Sequence, residues 1–305
     1  MNIASHVVEC WLPDLQRFGS SHPLRALIQR GDRLADGAEG YLGGLAAYFS
    51  CDGALPIAAL TRQHLAGDAG DACWLSVDPA WVQPDMSGAR LMACGQLLLN
   101  MDDARSLADS LKPMFDEAGM TLNVSSPDRW HLRLPAHTAL PEFDPPEQAL
   151  GEDLYEHLPH GEQARTWRAL FNEVQVLLHQ HPINAQRRQR GLPPVNGLWF
   201  WGGGVLPQRV ATTLKGVIAD DLPLLALAQR AHIRVQARDA ASIVAANAGW
   251  LIDLQDESSD LIATTWWPSL LALSRRQRLV WAFASGERWL CRPWHRLRFW
   301  RRAAS

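Results

Sequence analysis

His181, Asn184, Arg187 and Asn196 fall in one short stretch, which Gly202, Gly203 and Gly204 close after an aromatic run. A guanidinium offers forked donors to a phosphate or carboxylate. Successive backbone N–H groups in a glycine turn can present a concavity to the same kind of anion. A P-loop is excluded, because no G-x-x-x-x-G-K-[ST] pattern occurs. The residues also admit a structural use, with His181 capping a helix, Asn184 and Asn196 satisfying backbone groups, and the glycines making room for Trp199 and Trp201. His179 and His181 diverge by about 200° on a helix, so they cannot chelate one metal together.

A second set is acidic. Asp253, Asp256, Glu257 and Asp260 follow the strand-like GWLIDL. Carboxylates just beyond the carboxyl end of a strand are where an open α/β sheet places its chemistry, which makes Asp253 and Asp256 the candidates for a metal role. The alternative is helix N-terminal charge beside a Ser258 or Ser259 cap. The third set is basic: residues 275 to 305 hold nine Arg against one Glu, interleaved with Trp281, Trp289, Trp294 and Trp300. Guanidinium and indole together suit single-stranded nucleic acid, and a hairpin alternating buried Trp with exposed Arg has the same composition. There is no G-x-S-x-G nucleophile elbow.

These groups need elements to hold them. A strand is expected over Ala4 to Glu9, then short helices over Pro23 to Gln29 and Ala38 to Tyr48. Strand-like runs at CWLSVDPAWVQP and ARLMACGQL precede a helix capped by Asn100, with Ala104, Leu107, Ala108, Leu111 and Phe115 on one face and Gly119 as its stop. Pro113 should kink or divide that helix. TLNV and RWHLRL follow as strands, the latter with Trp130, Leu132 and Leu134 on one face and His131 and Arg133 on the other. Five prolines between Pro135 and Pro159 read as a linker. A helix from Glu162 to about Gln180 carries an apolar stripe through Trp167, Leu170, Phe171, Val174, Leu177, Leu178 and His181. A strand over Asn196 to Trp201 ends at the glycine triplet, and TLKGVIAD, HIRVQ and GWLIDL alternate with helices beginning near Asp221 and Ser259. That alternation favours a parallel sheet covered on both faces, and the end reads as a hairpin turning at Ser285-Gly286.

With 305 residues, 47% apolar and 20% charged, the chain is of globular composition and large enough for a sizeable core. No apolar run could span a bilayer and the start lacks an export signal, so a soluble, cytoplasmic protein without membrane partners is expected. The five cysteines are scattered and never spaced C-x-x-C, which argues for reduced, mostly buried thiols.

The pattern H-P-x-N-x-x-R-x-x-x-G-x-x-P-x-N, running from His181 to Asn196 and followed by a strand into Gly202-Gly203-Gly204, resembles the signature of the archaeal-type, cofactor-independent phosphoglycerate mutases. More widely, WLSVDPAWV, SSPDRWHLRL and the RFWRR end resemble bacterial RpfE-type regulatory proteins of mutase-like sequence. The resemblance implies an alkaline-phosphatase-like α/β core with a mostly parallel sheet and a small inserted α+β, ferredoxin-like domain. The expected boundaries are 1–72 and 161–305 for the two parts of the core, 73–135 for the insertion and 136–160 for the linker. It assigns ligand contacts to His181, Asn184, Arg187, Asn196 and Gly202 to Gly204. Such mutases use an Asp-rich and His-rich pair of divalent metal sites, because transfer of a phosphoryl group needs its oxygens neutralised. Here HVVEC runs into Trp11-Leu12-Pro13 where the mutases have a metal-binding Asp-Gly, and no Asp-His dipeptide occurs. The expectation is therefore a regulatory or anion-binding protein without cofactor, taking a phosphorylated or carboxylate small molecule. The alternatives are an active Mn- or Mg-dependent mutase or phosphoesterase with relocated ligands, and a nucleic-acid-binding regulator.

Overall fold

The computed structural model describes residues 6–85, 88–135, 138–161 and 163–298. They form two compact units, one of residues 1–54 with 209–305 and the other of residues 55–208.

The first unit is built on a seven-stranded sheet. In spatial order its strands are Arg234–Gln236, Gly216–Ile218, Trp250–Asp253, Val8–Leu12, Leu279–Phe283, Arg288–Cys291 and Asp32–Arg33. The first five are parallel, and the last two join antiparallel at one edge. Every residue of the Val8–Leu12, Trp250–Asp253 and Leu279–Phe283 strands is buried, as a sheet covered on both faces requires. One face packs Cys10, Leu12, Ile252 and Trp281 against Leu24, Ile28, Leu270 and Leu273. The opening strand differs from the expected Ala4 to Glu9. Residues 1–5 lie outside the described set, and pairing with both parallel neighbours carries the strand on through Trp11 and Leu12. The hairpin turns at Gly286, whose φ of 93° suits glycine.

The second unit holds a five-stranded antiparallel sheet around the long strand Cys73–Asp85. Gly88–Cys94 and Arg129–Leu134 pair with different halves of it, Gly197–Val205 pairs with it from Cys73 to Ala80, and Thr121–Ser126 pairs with Arg129–Leu134. This unit is wider than the expected 73–135 insertion. The strand assigned to the core in sequence extends through the glycine triplet to Val205 and forms part of this sheet. The expected linker is packed as well, with Ala149 and Leu154 buried. Pro113 neither ends nor divides the helix Met101–Glu117. It sits on the exposed side, where water can satisfy the carbonyl its missing N–H would have bonded. The helix Ala164–His179 carries the expected stripe from Trp167 to Leu178, although Leu177 is exposed.

Candidate functional site

The signature stretch folds as a helix, Pro182–Gln189, and a return loop into the Gly197–Val205 strand. His181 is the helix N-cap, its Nδ1 accepting the Ile183 N–H at 3.3 Å. Asn184 is 1% exposed. Its amide donates to the Leu178 and Val195 carbonyls at 2.7 and 2.8 Å, and its oxygen accepts the Val195 N–H at 2.8 Å. Arg187, also buried, donates to the carbonyls of Pro193 and Leu97. Asn196 bonds both polar groups of the Val82 backbone, at 2.8 and 2.7 Å. The polar groups of this motif thus close a loop onto its own helix and onto the neighbouring strand. The glycines are close-packed: a Cβ on Gly203 would lie 2.5 Å from Leu140 Cδ1, and one on Gly204 2.7 Å from Pro56 Cβ.

The carboxylates collect at the carboxyl edge of the parallel sheet in the first unit. Asp253 ends its strand fully buried; one oxygen accepts the Gln255 N–H at 3.3 Å, and Oδ2 has no hydrogen-bond partner. Burial, followed by the charges of Asp221 and Asp256, pushes its carboxyl well above the usual range. Beside it the Arg238 side chain, 11% exposed, is held among acids. Nε lies 3.3 Å from Asp220, the Asp256 carboxylate takes both terminal nitrogens, and Glu257 is 3.5 Å away. Asp256 therefore binds a guanidinium, while Asp253 is held in surroundings that favour its neutral form. At the end of the central strand Trp11 is 2% exposed and stacks on Tyr41 at 5.9 Å, and Tyr41 donates to Asp221 at 2.7 Å. Among the described residues no group of three or more His, Cys, Asp or Glu could hold a metal ion. The residues at this edge do not fit a divalent cation.

Two clusters went unnoticed in the sequence. In the first unit, buried Glu9 accepts from Tyr48 Oη and Arg288 Nη2, each at 3.2 Å, on the wall of a cavity of about 570 Å³. In the second, Asp78 accepts from Trp201 Nε1 at 2.7 Å and pairs with Arg129 at 3.2 Å, the guanidinium lying 4.9 Å from the Trp201 ring centroid. Next to it His131 is completely buried, although the alternation of RWHLRL predicts an outward face for it. Its Nε2 is 2.9 Å from Thr61 Oγ1 and its Nδ1 2.7 Å from Ser125 Oγ. Thr61 already donates to Ile57 O, so its oxygen accepts from Nε2–H, and Ser125 donates to Nδ1. Burial, then the charges of Arg129 and Arg62, hold His131 neutral. The helix Ile57–Ala66, which supplies Thr61 and Arg62, gave no distinct signal in sequence.

The basic C-terminal segment is partly committed within its own unit. Asp32 takes Arg292 and Arg298 at 2.5 and 2.6 Å, Arg288 reaches Glu9, and Arg298 stacks on Trp294 at 4.5 Å. Trp281 is buried, and Trp300 lies outside the described residues. No described helix is long and apolar enough to cross a membrane.

No protein-family model matches the chain. Segments of it match 2,3-bisphosphoglycerate-independent phosphoglycerate mutases. Identity is 33% over 85 residues with that of Methanothrix thermoacetophila, covering 27% of this chain and 22% of the relative. It is 39% over 64 residues with a probable mutase of Geobacter sulfurreducens, covering 21% and 16%. The chain thus matches about a fifth of the length of these curated relatives. A cofactor-independent phosphoglycerate mutase from Thermoplasma acidophilum superposes with a TM-score of 0.37 at 15% identity, over 94% of this chain and 89% of that one. A protein from Pyrococcus horikoshii superposes with 0.44 at 11%, over 94% and 87%. The RpfE-type designation finds no support in these relatives. The expectation of a protein without cofactor is corrected by them, since the related mutases depend on divalent manganese or magnesium. What these partial matches establish is a phosphoglycerate-mutase-like relationship, carried by local segments of the chain.

Proposed function

We propose that this chain is a mutase-like protein whose sheet edge has lost metal-dependent phosphoryl transfer and which acts as a regulatory, small-anion-binding protein. One observation carries the reading: the Arg238 guanidinium sits among Asp220, Asp256 and Glu257, beside the buried Asp253, at the edge where an α/β sheet places its chemistry. The Arg238 guanidinium already occupies the space among these three carboxylates, and Asp256 gives both of its oxygens to it.

The test is an assay of 3-phosphoglycerate and 2-phosphoglycerate interconversion with added manganese or magnesium, run beside calorimetric titration of both metals. The expected result is turnover no greater than that of an inert protein. Turnover that Asp253→Asn or Asp256→Asn abolishes would establish an active mutase and refute this reading.

A further inference from the structure

The first unit contains a second cavity, of about 430 Å³, between the helix Pro23–Ile28, the helix Trp267–Ser274 and the turn Pro293–Leu297. Its volume is that of a small-molecule site. Leu27, Leu271 and Trp267 give it apolar walls, and Leu27 and Trp267 continue into the main core. Arg30, Arg275 and Arg296 stand exposed around it, and none of the described lining residues is acidic.

This charge arrangement is one-sided for a physical reason. Asp32 is bonded to Arg292 and Arg298, so its charge is engaged away from the other three arginines. Arg30 makes one 3.4 Å bond to the Arg296 carbonyl, which leaves most of its donors directed elsewhere. Three guanidiniums sharing one apolar hollow repel one another, and a bound anion relieves that repulsion while its body covers the walls. Cys291 also lines the hollow, but burial pushes its thiol up to about 12, which leaves it an inert wall.

We propose that this hollow binds an organic anion with an apolar body and a single phosphate or carboxylate head, the head among Arg30, Arg275 and Arg296 and the body against Trp267, Leu27 and Leu271. The proposal rests on the anion-binding reading above and gives it a place and a ligand class.

The test titrates 1-naphthyl phosphate, 1-naphthoate and inorganic phosphate into the full chain, followed by calorimetry and tryptophan fluorescence. Both naphthyl probes should bind about tenfold or more tightly than inorganic phosphate, since only they fill the apolar part. The tighter of the two identifies the preferred head. Arg275→Gln with Arg296→Gln should weaken the tighter probe about tenfold or more. Ala26→Trp, which fills the hollow from an exposed helix position, should abolish binding, with melting curves confirming that both variants fold. Undiminished binding to Ala26→Trp would overturn the site and leave the anion-binding reading standing. Absence of binding by all three anions would overturn both. A single-stranded oligonucleotide that displaces the probe and binds about a hundredfold more tightly would overturn the small-molecule assignment in favour of nucleic acid.

Discussion

Arg238 and Asp253 occupy the same sheet edge and should respond to mutation in opposite ways. Arg238→Ala leaves Asp220, Asp256 and Glu257 facing one another without their cation. Asp220 and Asp256 are 55% and 40% exposed, so water screens much of the repulsion and the expected loss of stability is roughly 1–2 kcal/mol. The same change vacates the space between carboxylates, so manganese should bind Arg238→Ala more tightly than the native chain, measured by calorimetry or manganese resonance. For Asp253 the sign follows from its raised folded pKa. Stability from this group is fully present below the unfolded value near 3.8 and is lost as pH rises through the folded value. Near pH 7 the carboxyl is therefore a liability. Asp253→Asn, which keeps the acceptor for Gln255 N–H, should raise the melting temperature at pH 7 to 8 and make it less dependent on pH. The acidic cluster was visible in the sequence because its members are adjacent. Arg238 was not, because an arginine separated from Asp253 by a helix, in a chain with many arginines, reveals its partners only when the three parallel strands Arg234–Gln236, Gly216–Ile218 and Trp250–Asp253 bring their ends together.

The 181–204 segment shows where local pattern succeeds and where it stops. Pro182 behind a capping His181, the apolar stripe of the preceding helix and the aromatic strand all follow from spacing. The destination of the amides does not: Asn184 bridges Leu178 and Val195, and Asn196 reaches Val82, a residue 114 positions away. The Asn184 partners are only 6 and 11 positions away, but spacing does not say which backbone groups an amide will meet, and the Asn196 bond joins partners that no window of sequence contains. Asn184→Ala would leave the Val195 carbonyl and N–H unpaired in a site that is 1% exposed, at about 1 kcal/mol or more for each group, whereas the Leu178 carbonyl keeps the His181 N–H. The expected loss is roughly 2–4 kcal/mol by denaturant titration, with the larger part borne by the 55–208 unit. Asn184→Asp should lose most of the same stability, because its carboxylate cannot donate to the Leu178 and Val195 carbonyls. A side chain acting only through direct contact with a ligand would leave unfolding unchanged.

The two units close on themselves in ways that make them separable. In the first, strand Phe49–Ser50 pairs with Ala211–Thr212, so the chain ends at 54 and 209 leave from neighbouring strands. In the second, Gly204 lies against Pro56, so its two ends also meet. Composition and proline content pointed to a narrower second unit, because the 197–205 strand joins it through pairing with residues 73–80, across more than a hundred positions. A fragment of residues 55–208 should therefore fold alone, with its own sheet and the buried core around Trp130, Trp201, Phe115 and Phe171. It should also carry the acid sensitivity of His131. That imidazole is held neutral well below its ordinary value of 6.5, whereas the unfolded chain takes up the proton there. Stability from this group is complete above about pH 6.5 and falls as pH drops toward the folded value, at up to about 1.4 kcal/mol per pH unit. Denaturant titrations of the fragment at pH 7.5 and pH 5 should differ in this direction, and His131→Gln, which cannot take up the proton, should bring the two midpoints closer. A fragment that unfolds gradually, or whose midpoint rises on acidification, would refute both the separability of the unit and the neutral, doubly bonded His131 at its centre.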